Sequence, residues 1–191
     1  GKMMQELPGE DNAENLQIIV DEADRLTKLV NGILDLSKLQ SGSYNLHLTI
    51  FSLTESVKEL TNEFTKFYSG KADVTFSFSR EVFIKADETL VSEALYNLIT
   101  NAVTHSGEGA KIEVTQTSEN RRVRVTVKDN GPGIAQADLA EIWDRYRKGS
   151  GSGTGLGLAI VKAATEINNG TYGVKSEVGV GSEFWIEFAE E

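Results

Sequence analysis

The sequence has no cysteine, which excludes a disulfide framework and a thiolate metal site. It has only two histidines, His47 and His105. Basic residues are also scarce: 19 Lys and Arg stand against 29 Asp and Glu, a net charge of −10 over 191 residues. Nucleic acid and anionic membranes both demand basic surface, so neither is expected as the main partner. No apolar run approaches the length that spans a bilayer. The opening "GKMMQELPGEDN" has no apolar signal-peptide core and starts as a fragment would. The hydrophobic content of 39% suits a globular protein. The length allows one large domain, or one domain with an appendage.

A long helix is expected over 11–40, opened by Asp11 with Glu14 three residues on, a capping-box pattern. Leu16, Ile19, Ala23, Leu26, Val30 and Ile33 recur at spacings of three and four, the seam of a helix bundle or coiled coil. One stripe cannot make a domain alone, so it needs helices from elsewhere or from a second copy of the chain. After "SGS" at 41–43 the pattern changes. Alternation of Leu46, Leu48 and Ile50 predicts a short strand, and Ser52 with Glu55 opens a helix to about Tyr68. Strands follow at Val74–Phe78 and Val82–Ile84, then a helix capped by Asp87. Two more strands, 112–114 and 123–127, flank the turn "SEN"; a short helix is expected near 136–143. Gly170 is placed to end the helix after the glycine-rich run, and strands near 171–176 and 182–188 close the chain. The expectation is a two-layer α/β domain over 44–191 with a mostly antiparallel sheet.

Three stretches carry chemistry. In "LYNLITNAVTH", Glu93, Asn97 and Asn101 share one helix face. Amide oxygens there suit Mg²⁺, although a polar surface stripe would look the same. "DNGPGI" at 129–134 sets a carboxylate, Asp129, beside a stiff bare backbone able to admit a flat ring; it also reads as a turn. "GSGSGTGLGLAIV" has five glycines in its first nine residues and leads into an apolar helix. A helix start offers unpaired N–H groups to phosphate, but such loops are often plain connectors. No lysine follows to make a Walker P-loop.

Taken in order, Asn97–Asn101, "DNGPGI" and "GTGLGL" resemble the N, G1 and G2 boxes of sensor histidine kinases, within the GHKL ATPase superfamily of gyrase, heat-shock protein 90, histidine kinase and MutL. "EIWDRYRK" resembles the F box, and "SEVGVGSEFWIEF" the closing strands. "IIVDEADRLTKLVNGILDLSKLQSG" resembles the second helix of the dimerisation and phosphotransfer hairpin. The resemblance implies an α+β fold, a two-layer sandwich with helices on one face of a mixed, mostly antiparallel sheet. It assigns 1–43 to the C-terminal part of the hairpin and 44–191 to the catalytic ATP-binding domain.

By the same resemblance, ATP and Mg²⁺ are the cofactors. Asn101 would coordinate Mg²⁺ and Asn97 support the phosphates. Asp129 would bind the adenine amine, with Gly133 permitting close approach. Gly153, Gly155 and Gly157 would wrap the triphosphate, with amides near Leu156 and Leu158 as donors. Arg147 and Lys148 match basic positions at the lid entry, Lys148 reaching the γ-phosphate. His105, Gly131, Ile134, Tyr146 and Thr154 complete the nucleotide pocket. Departures from the pattern are Thr104 where a phosphate-binding lysine is frequent, His105 where an aromatic ring is frequent, and Trp143 and Tyr146 in place of phenylalanines. The lid "GSGS" is short and without apolar anchors, so it is expected to be mobile. Neither histidine carries the acceptor motif, which the resemblance places upstream of Gly1.

The implied activity is transfer of the γ-phosphoryl of ATP to a histidine, then to a response-regulator aspartate. The implied setting is the cytoplasmic portion of a membrane-anchored bacterial receptor that touches no membrane itself. The intact protein would be a homodimer; this chain would dimerise weakly. Two other classes compete. A gyrase-like or chaperone-like ATPase would carry a glutamate where Asn97 stands. A degenerate nucleotide-binding or dimerising module is disfavoured by the intact Asp129, Asn101 and glycine set, while Thr104 and the short lid keep it open.

Overall fold

The structure, a computed structural model, describes residues 41–144 and 155–191, and residues 20, 23, 26, 27, 30, 32–34 and 36–39 before them. The described residues between 20 and 39 are helical; the expected helix start at Asp11 and Glu14 lies outside the described residues. The elements that follow are β1 (Thr49–Ser52), α1 (Leu53–Phe67), β2 (Ala72–Phe78), β3 (Phe83–Ala86), α2 (Glu88–Ser106), β4 (Ala110–Glu119), β5 (Arg122–Asp129), α3 (Gly157–Ile167), β6 (Thr171–Glu177) and β7 (Gly181–Ala189). Among the described residues no helix is long and apolar enough to cross a membrane.

Alternation builds the main sheet. Val123, Val125 and Val127 of β5 are buried on one face, while Arg122, Arg124 and Thr126 lie on the other. The strand order is β2-β4-β5-β7-β6, and only the β2–β4 pair is parallel. A separate antiparallel pair joins β1 to β3. The helices cover one face of the main sheet. Leu95, Leu98 and Ile99 of α2 are fully buried in one cluster with Ile112, Val125 and Ile186. Each such side chain contributes on the order of 1.5–3 kcal/mol by leaving water.

Local chemistry sets the ends. Ser52 Oγ accepts from the Glu55 N–H at 3.2 Å, and Asp87 Oδ1 from the Leu90 N–H at 3.2 Å, which start α1 and α2. Four sequence expectations are corrected. The strand expected through Leu46 and Leu48 begins only at Thr49, because the His47 N–H is taken by a carboxylate, Asp87 Oδ2, at 2.9 Å. The β4–β5 turn is Asn120–Arg121, both at positive φ, so β4 runs through Glu119 where "SEN" was expected to turn. Residues 136–143 form successive tight turns in place of a helix, closed by Glu141 N–H to Asp138 O and Asp144 N–H to Glu141 O. Trp143 holds that stretch to the sheet by edge contacts with Tyr172 and Phe184. The left-handed residue ending α3 is Asn169 (φ 56), not Gly170. Its N–H donates to Glu166 O and that of Gly170 to Thr165 O, a Schellman closure. Gly170 is small for another reason: a Cβ there would stand 2.7 Å from the Phe188 ring.

The apolar stripe of the N-terminal helical segment divides. Leu26 and Val30 are half exposed, whereas Ile33 and Leu36 pack on Leu156 and Ile160 around the start of α3. Leu39, Tyr44 and Leu46 join the main core.

Candidate nucleotide site

α2 carries polar groups at two levels. Near its middle, Asn97 and Asn101 are half-buried one turn apart. Asn97 Nδ2 donates to the Glu93 carbonyl at 2.9 Å, which fixes the amide and turns its oxygen outward along the stripe. That oxygen faces the first residue of α3. A Cβ on Gly157 would stand 3.0 Å from Asn97 Oδ1 and 3.5 Å from Asn101 Oδ1. The glycine thus lets α3 begin closely against the amide pair without pressing on it. Gly155, at φ 71, turns the chain into this approach. Leu156 precedes α3 without a side-chain cap, so among the described residues the N–H groups of its first turn have no capping side chain. Its own side chain is buried against Leu36, and a Cβ on Gly32 would lie 3.3 Å from Leu156 Cδ1. Leu158 packs against the main core.

The second level lies at the C-terminal end of α2. Asp129 ends β5 and is 8% exposed. Its Oδ1 accepts from the Gly131 N–H at 2.8 Å and the Ser182 N–H at 3.2 Å. Burial pushes its carboxyl above the usual range, outweighing those two bonds, the charge of His105 and the Ser106 hydroxyl. Gly131 fits over Asp129 because a Cβ would lie 2.9 Å from Oδ1 and 3.1 Å from Ser106 Oγ. Gly133, at φ 71, is shaped by packing: a Cβ would come within 2.0 Å of the Glu177 carbonyl oxygen. The loop is sewn to the β6–β7 turn by Gly179 N–H to Pro132 O at 2.8 Å and Ile134 N–H to Ser176 Oγ at 2.8 Å. Ile134 is half-buried on the core, and His105 is exposed.

Asn101 and Ser106 are about 8 Å apart along the helix axis, at 1.5 Å per residue. The site therefore has a buried carboxylate at one end and an amide pair with a helix N-terminus at the other, both set alongside α2. The structure brings Asn97, Asn101 and Gly157 together, and separately Asp129, Gly131 and His105. Tyr146, Arg147, Lys148, Gly153, Thr154 and the "GSGS" lid lie outside the described residues. Sequence reasoning missed Ser182 and Ser106 beside Asp129. Ser106 sits one residue beyond the quoted helix stretch, while the approach of Ser182, 53 residues away, left no local signal.

The donor set fits a particular kind of ligand. Among the described residues no group of three or more acidic, histidine or cysteine side chains could hold a metal. The amide oxygens of Asn97 and Asn101 are neutral. A divalent cation here needs anionic oxygens that arrive with it, as Mg²⁺ on a polyphosphate does. The cradle a Cβ on Gly157 would fill and the uncapped start of α3 suit phosphate oxygens. The buried carboxylate suits an amine on a flat ring.

Two family descriptions match. "Histidine kinase-, DNA gyrase B-, and HSP90-like ATPase" covers residues 86–191, and "His Kinase A (phospho-acceptor) domain" covers residues 2–42. The sensor histidine kinase YvrG of Bacillus subtilis is 29% identical over 92% of this chain and 31% of its own length. The heme sensor protein HssS of Staphylococcus saprophyticus is 31% identical over 93% and 40%. The chain thus spans less than half of these relatives. Among solved structures, full-length ShkA in complex with AMPPNP aligns at a TM-score of 0.83 with 28% identity, over 98% of this chain and 41% of that one. Histidine kinase ThkA in complex with the response regulator TrrA aligns at 0.81 with 26% identity, over 98% and 54%. With the ATPase match spanning more than half its length, the chain belongs to the histidine kinase-, DNA gyrase B- and HSP90-like ATPase family, on its sensor histidine kinase branch.

Proposed function

We propose that this chain binds Mg²⁺·ATP for a protein-histidine kinase whose intact form transfers the γ-phosphoryl group to a histidine, for relay to a receiver-domain aspartate. The observation that carries the reading is the meeting of Asn97 and Asn101 with Gly157 on the same helix that reaches Asp129. Asp129 accepts from the adenine amine. Asn101 offers its oxygen to Mg²⁺, and Asn97 and the first-turn amides of α3 hold phosphate oxygens. Gly153 and Thr154 border the triphosphate, Tyr146 the pocket wall, and Arg147 and Lys148 supply positive charge at the lid. Bound Mg²⁺·ATP supplies the transferable phosphoryl group and neutralises its charge; the protein's part is positioning and electrostatics. An amide at position 97 gives water no carboxylate base there, which favours the kinase reading over a gyrase-like ATPase.

Residues 1–43 belong to the phosphotransfer hairpin and 44–191 to the catalytic domain in this reading. The likeness to ThkA bound to TrrA supports a response regulator as partner. The half-exposed Leu26 and Val30 support a homodimer of the intact protein. In this reading the chain is the cytoplasmic portion of a membrane-anchored receptor, a placement that rests on its likeness to sensor histidine kinases.

Neither histidine suits the acceptor role. The His47 backbone is tied to Asp87 at the start of α2, about 15 Å along the axis from Asn97. His105 lies at the adenine end, beside Asp129. The chain alone, given γ-labelled ATP, is expected to bind it with Mg²⁺ and acquire no acid-labile phosphate. A separate hairpin fragment bearing the family's acceptor motif is expected to become labelled when added. Label on this chain that disappears on replacing His47 or His105 would overturn the assignment, as would absence of ATP binding in calorimetry.

A further inference from the structure

Asp87 does more than cap a helix. It is 3% exposed and sits where three elements meet. Its Oδ1 takes the Leu90 N–H of α2. Its Oδ2 takes the His47 N–H at 2.9 Å and the Tyr44 hydroxyl at 3.5 Å, both from the link between the helical segment and β1. Its own N–H donates to Asn168 Oδ1 at 2.7 Å, at the C-terminal cap of α3. Asn168 is buried in turn, and its Nδ2 holds the Ala164 carbonyl at 2.8 Å. A cap needs one oxygen. The second oxygen of this buried carboxylate is spent wholly on the link.

α3 begins against Asn97 and Asn101 and ends on Asn168, so one rigid helix of about 16 Å runs from the phosphate end of the site to this cluster. At the other side of the link, the Tyr44 N–H donates to Lys38 O at 3.2 Å, which binds the end of the helical segment. Asn45 and Leu46 are left between the two anchor points. The geometry points to Asp87 as a positioning residue: its second oxygen clasps the link, and through Asn168 and α3 it couples that clasp to the nucleotide site. The clasp stands on the contacts alone; its coupling to ATP rests on the function proposed above. A pivot of the catalytic domain at Asn45 is then restrained by this carboxylate, alongside the packing of Leu46 on the core and of Leu36 on α3.

Serine and asparagine both cap helices well, but neither offers a second acceptor oxygen to His47. Asp87→Ser and Asp87→Asn therefore remove the clasp and keep the start of α2. Hydrogen exchange of the full chain, read at residues 45–48, is expected to rise at least tenfold in both, with α2 and the sheet unchanged. His47→Pro, which removes the donor from the other side, is expected to reproduce the rise. Unchanged exchange at 45–48, or a rise shared by α2 and the sheet, would show that Asp87 is only a structural cap. Mg²⁺·ATP is expected to slow exchange at 45–48 at least twofold in the parent chain. It is expected to lose that effect in Asp87→Ser and in Asn168→Ala. Calorimetry on the same samples separates the failures: no ATP binding removes the nucleotide site, whereas binding without a change at the link removes the coupling. An equal slowing in Asp87→Ser would also overturn it, since the coupling would then bypass Asp87.

Discussion

Asp129→Asn is expected to lower ATP affinity by 10- to 100-fold while leaving the fold intact. The Oδ1 position still accepts from Gly131 and Ser182, so the loop keeps its shape. The other position becomes an NH₂ group facing an amine, donor against donor. Such a mismatch costs about 1–3 kcal/mol, which is the stated range of affinity. Stability moves the other way. Burial raises the carboxyl above its ordinary 3.8, so the folded state disfavours the ionised form. The stabilisation from the protonated group is fully present below the unfolded pKa and is lost as pH rises through the folded one. At pH 7 the variant, which has no charge to bury, is expected to melt no lower than the parent. That advantage disappears as pH falls to the unfolded value. Calorimetric titration with ATP and melting scans at both pH values check this; unchanged affinity would take Asp129 out of the site.

Gly133→Ala is expected to be the most damaging small substitution in the loop. Alanine at φ 71 meets left-handed strain of about 1–2 kcal/mol. Its methyl would also stand 2.0 Å from the Glu177 carbonyl oxygen, a backbone atom that cannot swing aside. Overpacking adds about 1–3 kcal/mol, for a total of about 2–5 kcal/mol. Gly179→Ala is the control: φ is 80, yet nothing lies within 4 Å of its Cβ position, so only the strain remains. Urea midpoints that fell equally for the two variants would show that contact with Glu177 contributes nothing.

What the sequence made legible was local. The alternation of Val123, Val125 and Val127, the caps at Ser52 and Asp87, and the four-residue repeat of Asn97 and Asn101 each follow from one element's own period. What it hid came from distance. The parallel pairing of β2 with β4 joins strands separated by β3 and all of α2, and no turn residue announces it. Gly133 reads in the sequence as permitting a ligand's close approach; the packing demand that Glu177 makes on it, from 44 positions later, leaves no local signal. Asp87 was readable as a cap from Leu90's side only; His47 and Asn168 reach it from opposite directions. The stretch 136–143 has apolar residues at helical spacing, and the docking of Trp143 against the sheet decides its path instead.

Trp143 and Trp185 lie on opposite sides of that sheet. Trp143 meets Phe184, whose side chain points to the helices, and is packed edge-on to Tyr172 at 4.6 Å. Trp185, the next residue along β7, points the other way. It covers Gly173 and carries the Arg124 guanidinium 4.1 Å from its ring. These are the only two tryptophans in the sequence, so the chain contains two indole fluorophores in unlike surroundings. One is buried against two aromatic rings, three residues before Tyr146 in the sequence. The other is half open to water beneath a cation, with the sheet between it and the nucleotide side. Their emission supplies a signal and an internal reference within one unlabelled molecule.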